Sequence, residues 1–134
     1  MAVLKTETQP LTTEHDIVRI RQIARQWAVQ VGFSLVDQTK LVTAASELAR
    51  NAVIYGGGGE VILEELNDNS RRGLRLTFVD QGPGIPDIEL ALKDGYTTGS
   101  GMGLGLGGAK RLVNEFDITS RAGEGTRVYI TKWK

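Results

Sequence analysis

The sequence contains no cysteine, which excludes disulfides, thiolate metal sites and cysteine nucleophiles, and fits a reducing, cytoplasmic setting. It holds a single histidine, His15, at a predicted helix start, where it reads as a surface residue rather than a phospho-acceptor or ligand. No charge of one sign dominates. Sixteen Lys and Arg balance sixteen Asp and Glu, so no overall field draws the chain to nucleic acid or to an anionic membrane. No apolar run approaches the roughly 20 residues that span a bilayer. Met1–Thr8 lacks the basic head and apolar stretch of a secretion signal, so none is expected.

The chain of 134 residues has the length of one ordinary domain, enough to bury one core. Glycine is what it has in excess. There are seventeen, many of them clustered, and because glycine costs backbone entropy such clusters mark tight turns or close approach to a ligand.

Residues 2–8 read as a short edge strand. Thr13-x-x-Asp16 resembles a capping box with Asp in place of Glu, and Ile17, Ile20, Ala24, Trp27 and Val31 follow at helical spacing until Gly32. Trp27 is assigned to the core. A second helix is predicted from near Asp37, its stripe being Leu41, Ala44, Ala45, Leu48 and Ala52, and Gly56–Gly59 reads as its C-cap and turn. The period then changes to that of strands. Residues 60–66 and 74–79 read as antiparallel neighbours, with Leu74, Leu76 and Phe78 on the buried face. Residues 81–101 are predicted to form a long, mobile loop around a helical turn near Ile88–Leu92, and such loops in compact domains are usually functional. A third helix is expected over Gly103–Asn114, then a hairpin of 116–121 and 126–133 through Ala122–Gly125; Trp133 is assigned no chemistry. The order β, α, α, β, β, loop, α, β, β predicts an α+β, two-layer sandwich with helices on one face of a mixed, mostly antiparallel sheet.

Three constellations can carry chemistry. Asp80 closes a predicted buried strand and leads into Gln81-Gly82-Pro83-Gly84-Ile85-Pro86. A carboxylate there can accept a hydrogen bond from the amino group of adenine and repel the oxygen of guanine, and Gly82 and Gly84 would keep side chains away from the base. Read alone, the same residues make an ordinary turn. Glu47 and Asn51 lie one helical turn apart beside the apolar stripe, where they could face a cleft or simply form a polar helix margin. The Asn amide oxygen suits Mg²⁺, which takes few protein ligands, and Glu47 could accept a proton or position a water. Arg50 falls opposite the stripe and reads as solvated or in touch with a partner. Gly99–Gly108 runs into a helix, where free N–H groups would face an anion. It lacks Gly-Lys-Ser/Thr, so it is no P-loop, and it follows a loop rather than a strand, unlike a dinucleotide-binding fold.

The order of these motifs is more specific than any of them. Glu47…Asn51, Asp80-x-Gly82-x-Gly84, Gly101-x-Gly103-Leu104-Gly105-Leu106 and Gly123-x-Gly125-Thr126 resemble the N, G1, G2 and G3 boxes of the GHKL superfamily. The resemblance covers nearly the whole chain and implies a single Bergerat-type ATP-binding domain over residues 1–134. It implies that Asp80 binds adenine with Thr126 in support through a hydroxyl or a water, and that Gly82, Gly84 and Ile85 surround the base. Asn51 would hold Mg²⁺ and Glu47 would be the catalytic carboxylate. Gly101, Met102, Gly103, Leu104, Gly105 and Leu106 would cradle the phosphates, and residues 87–101 would be an ATP lid.

A length of 134 residues leaves no room for the dimerisation helices of a histidine kinase, and gyrase-type and chaperone ATPases need further domains. Ser46–Asn51, Asp80–Ile88 and Ala122–Thr126 closely resemble RsbT-type switch kinases, the Gly101–Leu106 run the histidine-kinase form. The likeness implies a serine/threonine kinase acting on STAS-domain scaffold or antagonist proteins of a stressosome-like complex, which on release activates a partner phosphatase. These partners leave room for a homodimer and include neither nucleic acid nor membrane. The alternative is an RsbW-like anti-sigma factor that sequesters a sigma factor and phosphorylates its antagonist; Arg50, where that type usually has a second Asn, speaks against it. A third reading is a nucleotide-sensing module without transfer.

Overall fold

The structure, a computed structural model, describes residues 1–85, 92 and 105–134. Its elements are β1 (Ala2–Leu11), α1 (Glu14–Val31), α2 (Leu35–Arg50) continued by a π turn (Asn51–Tyr55), β2 (Gly59–Asp68), β3 (Arg71–Asp80), α3 (Gly105–Arg111), β4 (Glu115–Arg121) and β5 (Gly125–Trp133). The expected helical turn near Ile88–Leu92 lies outside the described residues except for Leu92, which packs on the core.

Both helix starts are fixed by short polar side chains. The Asp16 carboxylate reaches back to accept the Thr12 and Thr13 N–H groups at 2.7 and 3.1 Å, so the Asp does the work of the usual Glu. These donors hold the Asp16 carboxyl well below the ordinary carboxylate range. Ser34 Oγ accepts the Asp37 N–H at 3.1 Å, and this cap starts α2 two residues before the predicted Asp37. Gly32 ends α1 at φ 96°, a left-handed conformation that glycine adopts without penalty.

The predicted stripes of α1 and α2 are buried throughout, and the two helices pack on each other and on the sheet. Leu48, at 2 % exposure, sits in the middle of this layer. Truncating such a leucine to alanine costs about 2–5 kcal/mol. The sheet order is β1-β2-β3-β5-β4, and every strand pair is antiparallel, where the sequence had suggested a mixed sheet. The reason is topological. The crossover through α3 delivers β4 one strand beyond β3, in the same direction as β3, and the tight hairpin returns β5 into the gap between them.

Along β3, Leu74, Leu76 and Phe78 join the helix-facing core as expected. The other face carries a network that the sequence left unassigned. Arg75 donates to Thr131 Oγ1 at 2.8 Å and to Glu115 Oε1 at 3.3 Å, and its guanidinium lies 4.7 Å from the Tyr129 ring. Trp133 donates its indole N–H to Glu115 Oε2 at 2.7 Å, with Arg71 stacked 4.2 Å from its ring. Helix α3 ends earlier than predicted because Asn114 serves β5 instead: its N–H bonds Thr131 O at 3.0 Å and its amide oxygen accepts the Trp133 N–H at 2.8 Å.

Candidate functional site

Asp80 is the last residue of β3 and points to the helix side, in register with Thr126 of β5. Its Oδ1 accepts the Gly82 N–H at 3.0 Å, and the Thr126 backbone N–H also favours its charged form. Burial outweighs both and raises the Asp80 pKa. Among the described residues no Lys or Arg pairs with it. A half-buried carboxylate with acceptor capacity to spare and no cation is suited to an uncharged donor such as an amino group.

The glycines around Asp80 have a different cause from the one the sequence suggested. A Cβ on Gly82 would sit 2.5 Å from the Gly56 carbonyl oxygen, and one on Gly84, at φ 80°, would sit 2.2 Å from Arg121 O. The space they leave is therefore filled by protein backbone, a packing cause that the sequence did not suggest. Gly56 is the glycine that touches the carboxylate. Its Cβ would lie 2.4 Å from Asp80 Cγ, so the π turn can approach only with no side chain there. Gly56–Gly59 is thus more than a cap. Gly57 and Gly58 form the expected turn, both in the left-handed region at φ 73° and 103°.

Ser120 of β4 lies beside Thr126 in the hairpin register and joins three elements. Its Oγ accepts the Ile85 N–H at 2.7 Å, donates to Gly125 O at 3.1 Å and lies 2.8 Å from Thr126 Oγ1. A shallow recess of about 330 Å³ opens at the end of β3, β4 and β5 on the sheet face away from the helices, where Val79, Arg127 and Thr119 stand in one row beside Arg121 and Glu124. Sequence reasoning missed Ser120. The signal was available in the hairpin, because a turn centred on Gly123 places residues 120 and 126 opposite each other.

Glu47 is 8 % exposed near the end of α2, and no ion pair among the described residues uses it. The Asn51 N–H still bonds Glu47 O, so the one-turn spacing of the two side chains survives into the π turn. The Asn51 carbonyl in turn accepts the Gly56 N–H at 2.9 Å. Asn51 is thereby bonded to Gly56, whose backbone passes close to the Asp80 carboxylate, and π-type turns in helices are frequent at functional sites. Helix α3 packs on α2 through the buried Leu106 and Ala109. Of the expected phosphate cradle, Gly105 and Leu106 open α3, whereas Gly101, Met102, Gly103 and Leu104 lie outside the described residues, as do residues 87–101 apart from Leu92. His15 is exposed and Trp27 is core, with Lys5 Nζ 4.2 Å above its ring. No described helix is long and apolar enough to cross a membrane.

Residues 36–134 match the family described as histidine kinase-, DNA gyrase B- and HSP90-like ATPase. The chain is 48% identical over 123 residues to the serine/threonine-protein kinase RsbT of Bacillus subtilis, covering 92% of each. It is 27% identical over 117 residues to an anti-sigma F factor of Thermoanaerobacter, covering 84% of this chain and 82% of the other. Among solved structures it resembles the RsbU and RsbW domains of Rv1364c from Mycobacterium tuberculosis, with a TM-score of 0.65 at 22% identity. That match covers 97% of this chain and 33% of the other, so the chain spans about a third of that protein's length. It also resembles the mycobacterial sensor histidine kinase MprB, with a TM-score of 0.56 at 18% identity over 96% of this chain and 97% of that one. At these identities the structural matches speak for the fold alone.

Proposed function

Since the chain belongs to the histidine kinase-, DNA gyrase B- and HSP90-like ATPase family, we propose that it is a single ATP-binding domain acting as a serine/threonine-protein kinase in partner switching. The observation that carries the nucleotide half of this reading is the Asp80 carboxylate, half-buried, free of any basic partner among the described residues and held by main-chain N–H groups. It accepts the amino group of adenine, with Gly82, Gly84 and Ile85 forming the wall and Thr126 the second contact. The kinase half is supported by the 48% identity to a serine/threonine kinase, against 27% to an anti-sigma factor.

At the other end of the cleft Asn51 offers one amide oxygen. The described residues contain no cluster of three or more acidic or histidine side chains that could hold a metal alone. This donor set fits Mg²⁺, which is held largely by nucleotide phosphates and water and which, when bound, neutralises phosphate charge. Glu47 is the catalytic carboxylate. The acceptor hydroxyl oxygen bonds to the γ-phosphorus as the bond from that phosphorus to the ADP oxygen breaks, and the hydroxyl proton passes to Glu47. The run 101–106 cradles the phosphates. The substrate is a Ser or Thr on a STAS-domain scaffold or antagonist, and the released kinase binds and activates a partner phosphatase in a cytoplasmic stressosome-like pathway.

The test is incubation of the protein with γ-labelled ATP, Mg²⁺ and candidate STAS proteins. Phosphoserine or phosphothreonine on the STAS protein is expected. Glu47→Ala should keep ATP binding and lose transfer; an unchanged transfer rate would remove Glu47 from the mechanism. ATP binding without transfer to any candidate would favour a nucleotide-sensing module.

A further inference from the structure

The chain as a whole balances sixteen cations against sixteen acids, but their placement on the helical layer is uneven. In α1 the only acids, Glu14 and Asp16, stand in the first turn, and none follows between Ile17 and Val31. In α2 Asp37 is paired with Lys132 at 3.6 Å and Glu47 is buried, so that helix shows no exposed, unpaired carboxylate. The surface between the two helices is correspondingly basic. Arg21 precedes Arg25 by one turn, and Arg50 falls opposite the buried stripe of α2. Neither Arg21 nor Arg50 has an ion pair among the described residues. Like charges one turn apart weaken a helix, so this pattern does not serve α1 itself. The same surface exposes apolar side chains. Val18, Gln22, Arg25 and Val29 recur at steps of four, three and four residues, which puts them on one line along α1. Arg25 donates to Gln38 Oε1 of α2 at 3.3 Å, so this line borders α2. Val18 and Val29 are 48 % and 55 % exposed, and Leu35, across the Gly32–Ser34 turn from Val29, is 71 % exposed. Valine is a poor helix former, and helix stability does not explain two of them on an exposed helical face.

We propose that this α1–α2 face docks an amphipathic helix of the partner phosphatase, one whose apolar row is flanked by Asp or Glu. Val18 to Val29 spans three turns, about 16 Å, a length over which a helix can lay an apolar row in a groove. Arg21 and Arg25 lie between the two valines, where carboxylates at the edge of such a row would meet them. The charge also argues against a second copy of this chain as the occupant, because a two-fold contact through this face would set its arginines against each other. Position separates this partner from the substrate. Gln38 turns toward α1, and Glu47, nine residues later, stands on the opposite side of α2 at about 100° per residue. A protein lying on the α1–α2 face therefore leaves the Glu47 cleft open, which suits a partner that is bound rather than phosphorylated. This inference rests on the switch-kinase reading and adds to it the surface and the chemistry of the released kinase's partner.

The test is calorimetric titration of the whole protein with candidate partner phosphatases, alongside ATP titration and transfer of labelled phosphate to the STAS protein. The variant carries Arg21→Glu and Val29→Gln together. It turns a repulsive pair into a Glu–Arg pair one turn apart and replaces valine with a better helix former, so it should melt no lower than wild type. Its phosphatase affinity should fall by about tenfold or more. Added salt should weaken the wild-type complex more than the variant's. ATP affinity and transfer should stay within about twofold, since distant sites act independently. Val18→Gln, at the other end of the line, should weaken phosphatase binding in the same direction. Phosphatase affinity unchanged in the folded variants would overturn the proposal. It would do so whether they lose transfer to the STAS protein, which makes the face a substrate dock, or binding to phosphatidylglycerol vesicles, which makes it a membrane dock. A wild-type protein that phosphorylates a STAS protein but binds no phosphatase would overturn the partner-activation reading itself, and this proposal with it.

Discussion

Replacing Gly56 with alanine separates binding from folding at this site. Gly56 has φ −85°, which any residue adopts, so the substitution brings no backbone strain. The whole effect is steric. The new Cβ would lie 2.4 Å from Asp80 Cγ and 2.5 Å from Oδ2, against an ordinary contact distance of at least about 3.5 Å, so the carboxyl group must move by about 1 Å. Moving it strains the 3.0 Å bond from the Gly82 N–H. Overpacking of this kind costs on the order of 1–3 kcal/mol, which a marginally stable domain survives with a lowered Tm. A 1 Å misplacement of a recognition group can cost roughly a hundredfold in function. The expected outcome is a folded Gly56→Ala protein whose ATP affinity, by calorimetry, falls by about ten- to a hundredfold. Unchanged affinity in the folded variant would refute both the contact and the role of Asp80.

Three further outcomes are expected. Burial raises the Asp80 pKa above its unfolded value, so its carboxyl contributes stability below the unfolded value and loses it as pH rises through the folded one. Asp80→Asn should therefore be at least as stable as wild type at neutral pH, lose that advantage in acid, and bind ATP more weakly; thermal melts across pH and calorimetry check both. Asp16 has the opposite sign. Its lowered pKa gives stability that is present above the unfolded value of 3.8 and lost as pH falls below it, so Asp16→Asn should flatten the acid limb of the stability profile. Gly125→Ala should fail where Gly56→Ala folds: at φ 91° its Cβ would meet the Asp80 carbonyl oxygen at 2.1 Å, costing at least about 2–3 kcal/mol, which urea denaturation would show.

The layers of the fold were legible wherever one side chain's period decides its burial. The α1 and α2 stripes and the alternation of Leu74, Leu76 and Phe78 needed no knowledge of partners. What escaped was pairwise. Gly56 looked like a helix terminator because only the approach of Asp80, from another element, gives its missing side chain a second purpose. Gly82 and Gly84 were recognised as necessary, but their reason is the backbone of Gly56 and Arg121, which no local pattern announces. Ser120 was a strand residue among others until register set it beside Thr126. Trp133, Glu115 and Arg75 likewise meet only because β5 lies between β3 and β4. Glu47 and Asn51 could be placed on a shared face from spacing alone, since both sit on one helix.

The strand register at the end of β5 sets how freely this sequence could change in length. The three residues between Arg121 and Gly125 leave no latitude. One residue added there that shifted β5 against β3 would turn Thr126 to the other face, carry Val128 and Ile130 out of the core, and part Thr126 from both Ser120 and Asp80. Homologous chains should therefore hold the length of the β4–β5 turn constant.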